Sequence, residues 1–260
     1  MKQSWLFTGM LLITLIVLSI YSFSNTKLKI GEIEIKKSGI KEFIVGDTIP
    51  TEAKLALKVT TEHEVVEVDS SSQKILLIGD SMLEQFRWRL RDYVEQNGHE
   101  MYSLIWYSSQ SEWYGKSDTL KYYINLYKPT YVILVLGANE LFVEDIITKR
   151  SSYVKRIVEQ MDTVPYVWVG PPNWKDDTGI NQLILRHAGT KNYFPSYEIT
   201  QTPLFKRYAD GAHPKPEAAA QWVDSVALWI MTESKNPILL NIPEKKGTSS
   251  PNTSILQPWK

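Results

Sequence analysis

The stretch Lys74-Ile75-Leu76-Leu77-Ile78-Gly79-Asp80-Ser81-Met82 constrains this chain more than any other. Four successive apolar residues are too few for an independent helix and do not alternate, so they read as a strand buried on both faces of a parallel sheet. After Ser81 the apolar positions Leu83, Phe86, Leu90 and Val94 recur at helical spacing, and Gly98 supplies a stop. Ser81 therefore sits on a tight turn between strand and helix. A serine hydroxyl there has unpaired backbone N–H groups and a partial positive charge beside it, which is where an oxyanion would form. Gly79 keeps a side chain out of the turn. Open α/β sheets place their ligands at this end of the strand.

The same alternation continues downstream. Met101 to Tyr107, Tyr131 to Leu136 and Tyr166 to Val169 read as strands, with a short one near Tyr193-Phe194. Helices are expected from Asp118 to Tyr127, from a cap at Ser151 or Ser152 with Val154, Ile157, Val158 and Met161 inward, around Ile180 to His187, and from Pro216 to Thr232. Alternating strands and helices at this spacing imply right-handed crossovers and a parallel sheet covered on both faces. This compact domain is expected over 74–234.

Its flanks differ in character. Trp5 to Phe23 is nearly all apolar and uncharged, so residues 1–24 read as a signal-anchor crossing the membrane or as a cleavable signal peptide. Either assignment makes the rest of the chain extracytoplasmic, membrane-anchored or secreted. Residues 25–73 read as a stem in which Lys27 to Ile30 and Glu32 to Ile35 alternate as short amphipathic strands. Residues 235–260, punctuated by Pro237, Pro243, Pro251 and Pro258, read as a disordered tail.

Composition narrows the chemistry. The 29 basic and 29 acidic residues cancel, which gives no electrostatic footprint for nucleic acid. Without any cysteine there is no thiolate nucleophile, zinc knuckle or disulfide. Lys175-Asp176-Asp177 is a solvated loop rather than a metal site, and no metal or cofactor is implied.

A nucleophilic Ser81 needs a base, and the chain has four histidines. His63 in the stem and His99 at the far end of the first helix read as solvated, and His187 as a helix-end residue. His213 differs, because Asp210-Gly211-Ala212-His213-Pro214 places a carboxylate three residues ahead of it on a loop before the last helix. Such a loop can hold the imidazole tautomer as in a Ser-His-Asp triad. Gly137-Ala138-Asn139-Glu140 also follows a buried strand, so the Asn139 amide can aim a donor at a developing oxyanion.

These blocks, Gly79-Asp80-Ser81, Gly137-Ala138-Asn139-Glu140 and Asp210-Gly211-Ala212-His213, resemble those of the SGNH (GDSL-like) hydrolases in order and spacing over 74–234. The resemblance implies a three-layer α/β/α, flavodoxin-like fold. It makes Ser81 the nucleophile, His213 the base, Asp210 its orienting acid, and Asn139 with the Ser81 N–H the oxyanion donors. Two departures stand out. Glu140 replaces the family's usual Asp, a change expected to be mild because the Asn does the donating. The second block lacks its usual glycine after the second strand. Either the run Ser108-Ser109-Gln110-Ser111 supplies that donor, with Ser109 the candidate, or the later Gly115 does.

Tryptophans on loops at the sheet's carboxyl edge can stack on a sugar ring. Trp174 is the candidate, and Trp106 and Trp113 are lesser ones. The functional expectation is a serine esterase acting on an O-acyl group, an acetyl group foremost, of a small molecule or glycan. An O-acyltransferase for a cell-surface polysaccharide and a non-catalytic glycan-binding module are the alternatives.

Overall fold

The computed structural model describes residues 67–257, together with the pairs 29–30 and 33–34. The N-terminal apolar run and most of the stem lie outside the described residues. Within the stem, β1 (Lys29–Ile30) and β2 (Ile33–Glu34) form an antiparallel pair, as the alternation there leads one to expect.

The folded unit begins near residue 65. It runs β3 (Lys74–Gly79), α1 (Leu83–Gln96), β4 (Glu100–Ile105), α2 (Ser111–Lys116), α3 (Thr119–Tyr127) and β5 (Tyr131–Val135). A 3-10 turn (Ala138–Phe142), α4 (Ile146–Met161), β6 (Tyr166–Val169), α5 (Ile180–Ala188) and β7 (Tyr193–Phe194) follow. The chain then continues through α6 (Ser196–Thr200), α7 (Pro216–Thr232) and β8 (Thr253–Ile255). The strands form one parallel sheet in the order β7-β6-β5-β3-β4-β8. Counted from β3, the first five follow the 2-1-3-4-5 order of flavodoxin-like folds.

β3 is central because both of its faces are apolar. Ile75 and Leu77 enter the cluster that includes Phe86 of α1 and Trp222 of α7, whereas Leu76 and Ile78 enter the opposite cluster with Val154 of α4 and Ile184 of α5. All four are fully enclosed, each contributing on the order of 1.5–3 kcal/mol of burial free energy. The chain leaves β3 for β4 on one side and returns to β5 on the other. The carboxyl ends of β3 and β5 therefore flank the topological switch point, the usual crevice for a ligand.

Three expectations need correction. α4 starts at Ile146, a turn before Ser151 and Ser152, after Asp145 in a left-handed conformation (φ 52°). The two serines lie inside the helix, where Ser151 bonds His187 (3.1 Å). His99 is not solvated: its Nδ1 accepts the Gln73 N–H (3.1 Å) and its Nε2 meets the Leu239 carbonyl (2.7 Å).

The C-terminal segment, expected to be disordered, is folded over its described residues to 257. Ile238 and Leu240 are buried, and β8 pairs in parallel with β4. Between them the backbone finds acceptors on α1: Gly247 N–H donates to Asp92 (2.8 Å), and Thr248 and Ser249 N–H donate to Glu95 (2.9 and 3.1 Å). Prolines prevent a regular element here, but side-chain acceptors satisfy the backbone without one.

Candidate active site

The three expected catalytic side chains meet at the carboxyl edge of the sheet. Ser81 Oγ lies 2.9 Å from His213 Nε2, and His213 Nδ1 lies 2.8 Å from Asp210 Oδ2. A carboxylate only accepts, so Nδ1 carries the proton and donates to Asp210, leaving Nε2 free to accept from the Ser81 hydroxyl. That bond to His213, with the N–H bonds below, holds the Asp210 carboxyl below the usual carboxylate range.

A local hairpin carries the base. Tyr208 N–H donates to the His213 carbonyl (2.9 Å) and Lys215 N–H to the Lys206 carbonyl (2.9 Å), while Arg207 bridges Pro214 across the loop. Asp210 Oδ1 accepts the N–H groups of Ala212 (2.8 Å) and His213 (3.0 Å), so the same carboxylate shapes the turn and orients the ring. The Arg207 guanidinium fastens this hairpin to the loop after β6, donating to the carbonyls of Ala212 (2.6 Å), Pro172 (2.9 Å) and Asn173 (2.9 Å).

Asp80 couples the turn after β3 to the turn after β5. Fully enclosed, it accepts the Met82 N–H on Oδ1 (2.9 Å) and those of Gly137 and Ala138 on Oδ2 (3.3 Å each). Burial pushes its carboxyl up to about 6 in spite of these donors. Gly79 is required for a different reason than the turn: a Cβ there would stand 1.8 Å from the Val135 carbonyl oxygen of β5. Any side chain would force β3 and β5 apart beneath Ser81.

In the turn after β5, Asn139 sits in the 3-10 segment and donates from Nδ2 to the Ser109 carbonyl (3.0 Å). Its second amide proton finds no acceptor among the described residues. The Ser81 N–H finds no acceptor among the described residues. The second block corrects the assignment of Ser109, whose N–H is spent on the Trp106 carbonyl (3.1 Å) and whose side chain is fully enclosed. Gly115 is excluded too: it lies inside α2 against Tyr153, 2.4 Å from where its Cβ would be. Among the described residues the N–H of the exposed Ser108 finds no acceptor, and its backbone is held at φ 58° in the left-handed region that favours glycine. A missing glycine hid this position in the sequence.

Glu140 is fully enclosed and paired with Arg150, whose Nε donates to Oε2 (3.0 Å). Ser81, Met82, Glu84, Gln85, Tyr208 and Pro214 line a hollow of about 300 Å³ beside the triad. A second, open cleft of about 610 Å³ is lined by Trp174, Asp176, Gln201, Phe205 and Arg207, among others. Trp174 is half-buried rather than a free loop residue: its indole N–H donates to the Ala138 carbonyl (3.3 Å) and its ring packs edge-on against Phe142. Among the described residues no helix is long and apolar enough to cross a membrane, and no cluster of ligands suits a metal ion.

No known family's sequence pattern matches the chain, and no curated protein does. Solved structures do. The psychrotrophic esterase EstA from Pseudoalteromonas sp. is similar over 60% of this chain and 98% of its own, at 19% identity and a TM-score of 0.46. A family 3 carbohydrate esterase from Clostridium thermocellum is similar over 59% and 92%, at 18% identity and a TM-score of 0.44. The C-terminal catalytic domain of peptidoglycan O-acetyltransferase A from Streptococcus pneumoniae is similar over 63% and 99%, at 16% identity and a TM-score of 0.42. The motif blocks resemble those of the SGNH (GDSL-like) hydrolases, and the sheet has the flavodoxin-like order that this resemblance implies.

Proposed function

We propose that the protein is an exported serine esterase that removes a short acyl group, acetyl foremost, from a hydroxyl of a glycan. The observation that carries the reaction type is the unbroken relay Ser81–His213–Asp210, with bonds of 2.9 and 2.8 Å. Ser81 Oγ attacks the ester carbonyl as His213 Nε2 takes its proton, and Asp210 stabilises the imidazolium. The oxyanion meets the N–H of Ser81, the free amide proton of Asn139 and the N–H of Ser108. Collapse expels the alkoxide, which receives the proton from His213, and water then releases the acyl group from Ser81 by the same path.

The walls of the site support a small acyl group. The hollow beside the triad is small and mixes Met82 with Glu84, Gln85 and Tyr208, which suits a short acyl group rather than a lipid chain. The larger cleft is joined to the machinery through the residues just before Asn139 and His213, since Trp174 bonds the Ala138 carbonyl and Arg207 the Ala212 carbonyl. An indole face among amide and carboxylate side chains suits a sugar ring in the alcohol portion. Export is supported by the apolar run Trp5 to Phe23. The half-exposed Ser81 is open to water, which favours hydrolysis over transfer to a second hydroxyl.

The purified full chain should be labelled by a fluorophosphonate at Ser81 and should hydrolyse 4-nitrophenyl acetate. Ser81→Ala should lose both while keeping the wild-type circular dichroism. Turnover that survives in Ser81→Ala overturns the assignment.

A further inference from the structure

Glu140 stands at the one motif position where the chain carries a longer acid than the SGNH block usually does. We infer that Glu140 and Arg150 are a buried positioning pair that sets the spacing of the two oxyanion loops. The inference rests on the reading of Ser81 as an acylated nucleophile.

Four links join the loop after β4 to the turn after β5. Asn139 Nδ2 donates to the Ser109 carbonyl (3.0 Å), and Gln110 Nε2 returns a bond to the Asn139 carbonyl (3.5 Å). Glu140 Oε1 then accepts both the N–H and the hydroxyl of Ser111, each at 2.5 Å. Behind them Arg150 spans the arrangement, Nε on Glu140 Oε2 and an Nη on Gln110 Oε1, both 3.0 Å. Its other Nη reaches Glu112 of α2 at 3.0 Å. One guanidinium thus grips the acid next to Asn139, the amide two residues beyond Ser108, and the first turn of α2.

The length of the acid matters in this arrangement. An aspartate at 140 would fall one methylene short of Ser111 or of Arg150 and would have to abandon one of them. Charge matters as well. Glu140 is adjacent to Asn139 and has no exposure, so its carboxylate would oppose a developing oxyanion unless a cation compensated it. Arg150, only 11% exposed, is that cation. Neither side chain touches the position of the reacting carbonyl; both act through Asn139 and the backbone of Ser108.

The test compares Glu140→Gln, Glu140→Asp and Arg150→Lys with wild type in the full chain, at a temperature where near-ultraviolet circular dichroism shows each to be folded. Loosening donors by a fraction of an ångström should lower kcat for 4-nitrophenyl acetate about 10- to 100-fold while KM stays within twofold. Inactivation by the fluorophosphonate, whose tetrahedral adduct needs the same donors, should slow in parallel. Glu140→Asp should retain more activity than Glu140→Gln because it keeps the charge for Arg150. A folded Glu140→Gln or Arg150→Lys with kcat and inactivation rate within twofold of wild type overturns the inference. Should Glu140→Gln not fold, Arg150→Lys, which keeps the charge but loses the fork, decides by the same two readouts. A wild-type chain that takes no label would instead sink the esterase reading.

Discussion

The two sides of Ser81 are built on opposite principles. On the base side, Asp210 and His213 lie three residues apart on one hairpin, with side chains 48% and 35% exposed. On the oxyanion side, Asp80, Asn139 and the Ser108 loop come from three segments, and the acids behind them, Asp80 and Glu140, have no exposure at all. Water screens the charges of the base side, so its pair orients a ring and contributes little to stability. The buried side cannot rely on water. Each of its carboxylates must be matched by N–H groups or by a guanidinium, and in the proposed reaction the same contacts would serve both fold and catalysis. Substitutions on the base side should therefore affect rate alone, and those on the oxyanion side should affect both.

Asp210→Asn probes the exposed side most sharply. Its Oδ1 would still cap the turn at Ala212 and His213, but an amide N–H₂ in place of Oδ2 would face Nδ1 and stabilise the wrong imidazole tautomer. The kcat for 4-nitrophenyl acetate should fall on the order of 10⁴-fold with the urea midpoint unchanged. A loss of less than tenfold would mean that the base side needs no carboxylate. Asn139→Ala, on the buried side, should cost about 10²–10³-fold in kcat and also lower the urea midpoint, because its bond to Ser109 ties two loops. An unchanged midpoint would break the contrast between the two sides.

The subtlest test uses pH. Burial raises the Asp80 carboxyl to about 6 from an ordinary 3.8, so between those two pH values the folded protein holds a proton that the unfolded chain has released. Its contribution to stability is full below about 3.8 and is lost as pH rises through about 6, a change of roughly 3 kcal/mol. Asp210 has the opposite sign: its lowered carboxyl contributes above the ordinary value and loses that contribution as pH falls through its folded value. Urea midpoints measured from pH 4 to 7.5 should show the wild type gaining on Asp80→Asn as the solution is acidified. A constant difference across that range would show that Asp80 is charged throughout.

Much of the site is legible because its parts are local. Ser81 follows a run of apolar residues that only a doubly buried strand explains, and Asp210 and His213 share one turn. Asn139 is marked by the strand before it. Ser109 misled because the left-handed backbone at Ser108 has no glycine to announce it, and a serine can adopt that conformation when the loop around it is pinned. Glu140 looked like a mild exchange because a sequence does not show that Arg150 and Ser111 converge on it. The sequence points to a later start for α4 because Asp145 takes a left-handed conformation without the usual glycine or cap. The segment after Ser234 reads as disordered because its composition shows neither the carboxylates of α1 that hold its backbone nor the free edge of β4 that β8 joins between Pro251 and Pro258.

By itself, the order of residues determined the strand-turn-helix at Ser81, the sheet that encloses it and the pairing of Asp210 with His213 on one turn, since apolar runs, turn residues and short-range pairs act over a few positions. Tertiary structure alone decided which serine N–H is free, what neutralises a buried acid and where the C-terminal segment lies. Those outcomes depend on which distant groups satisfy one another once water is excluded, and burial makes an unmatched charge or donor too costly to persist.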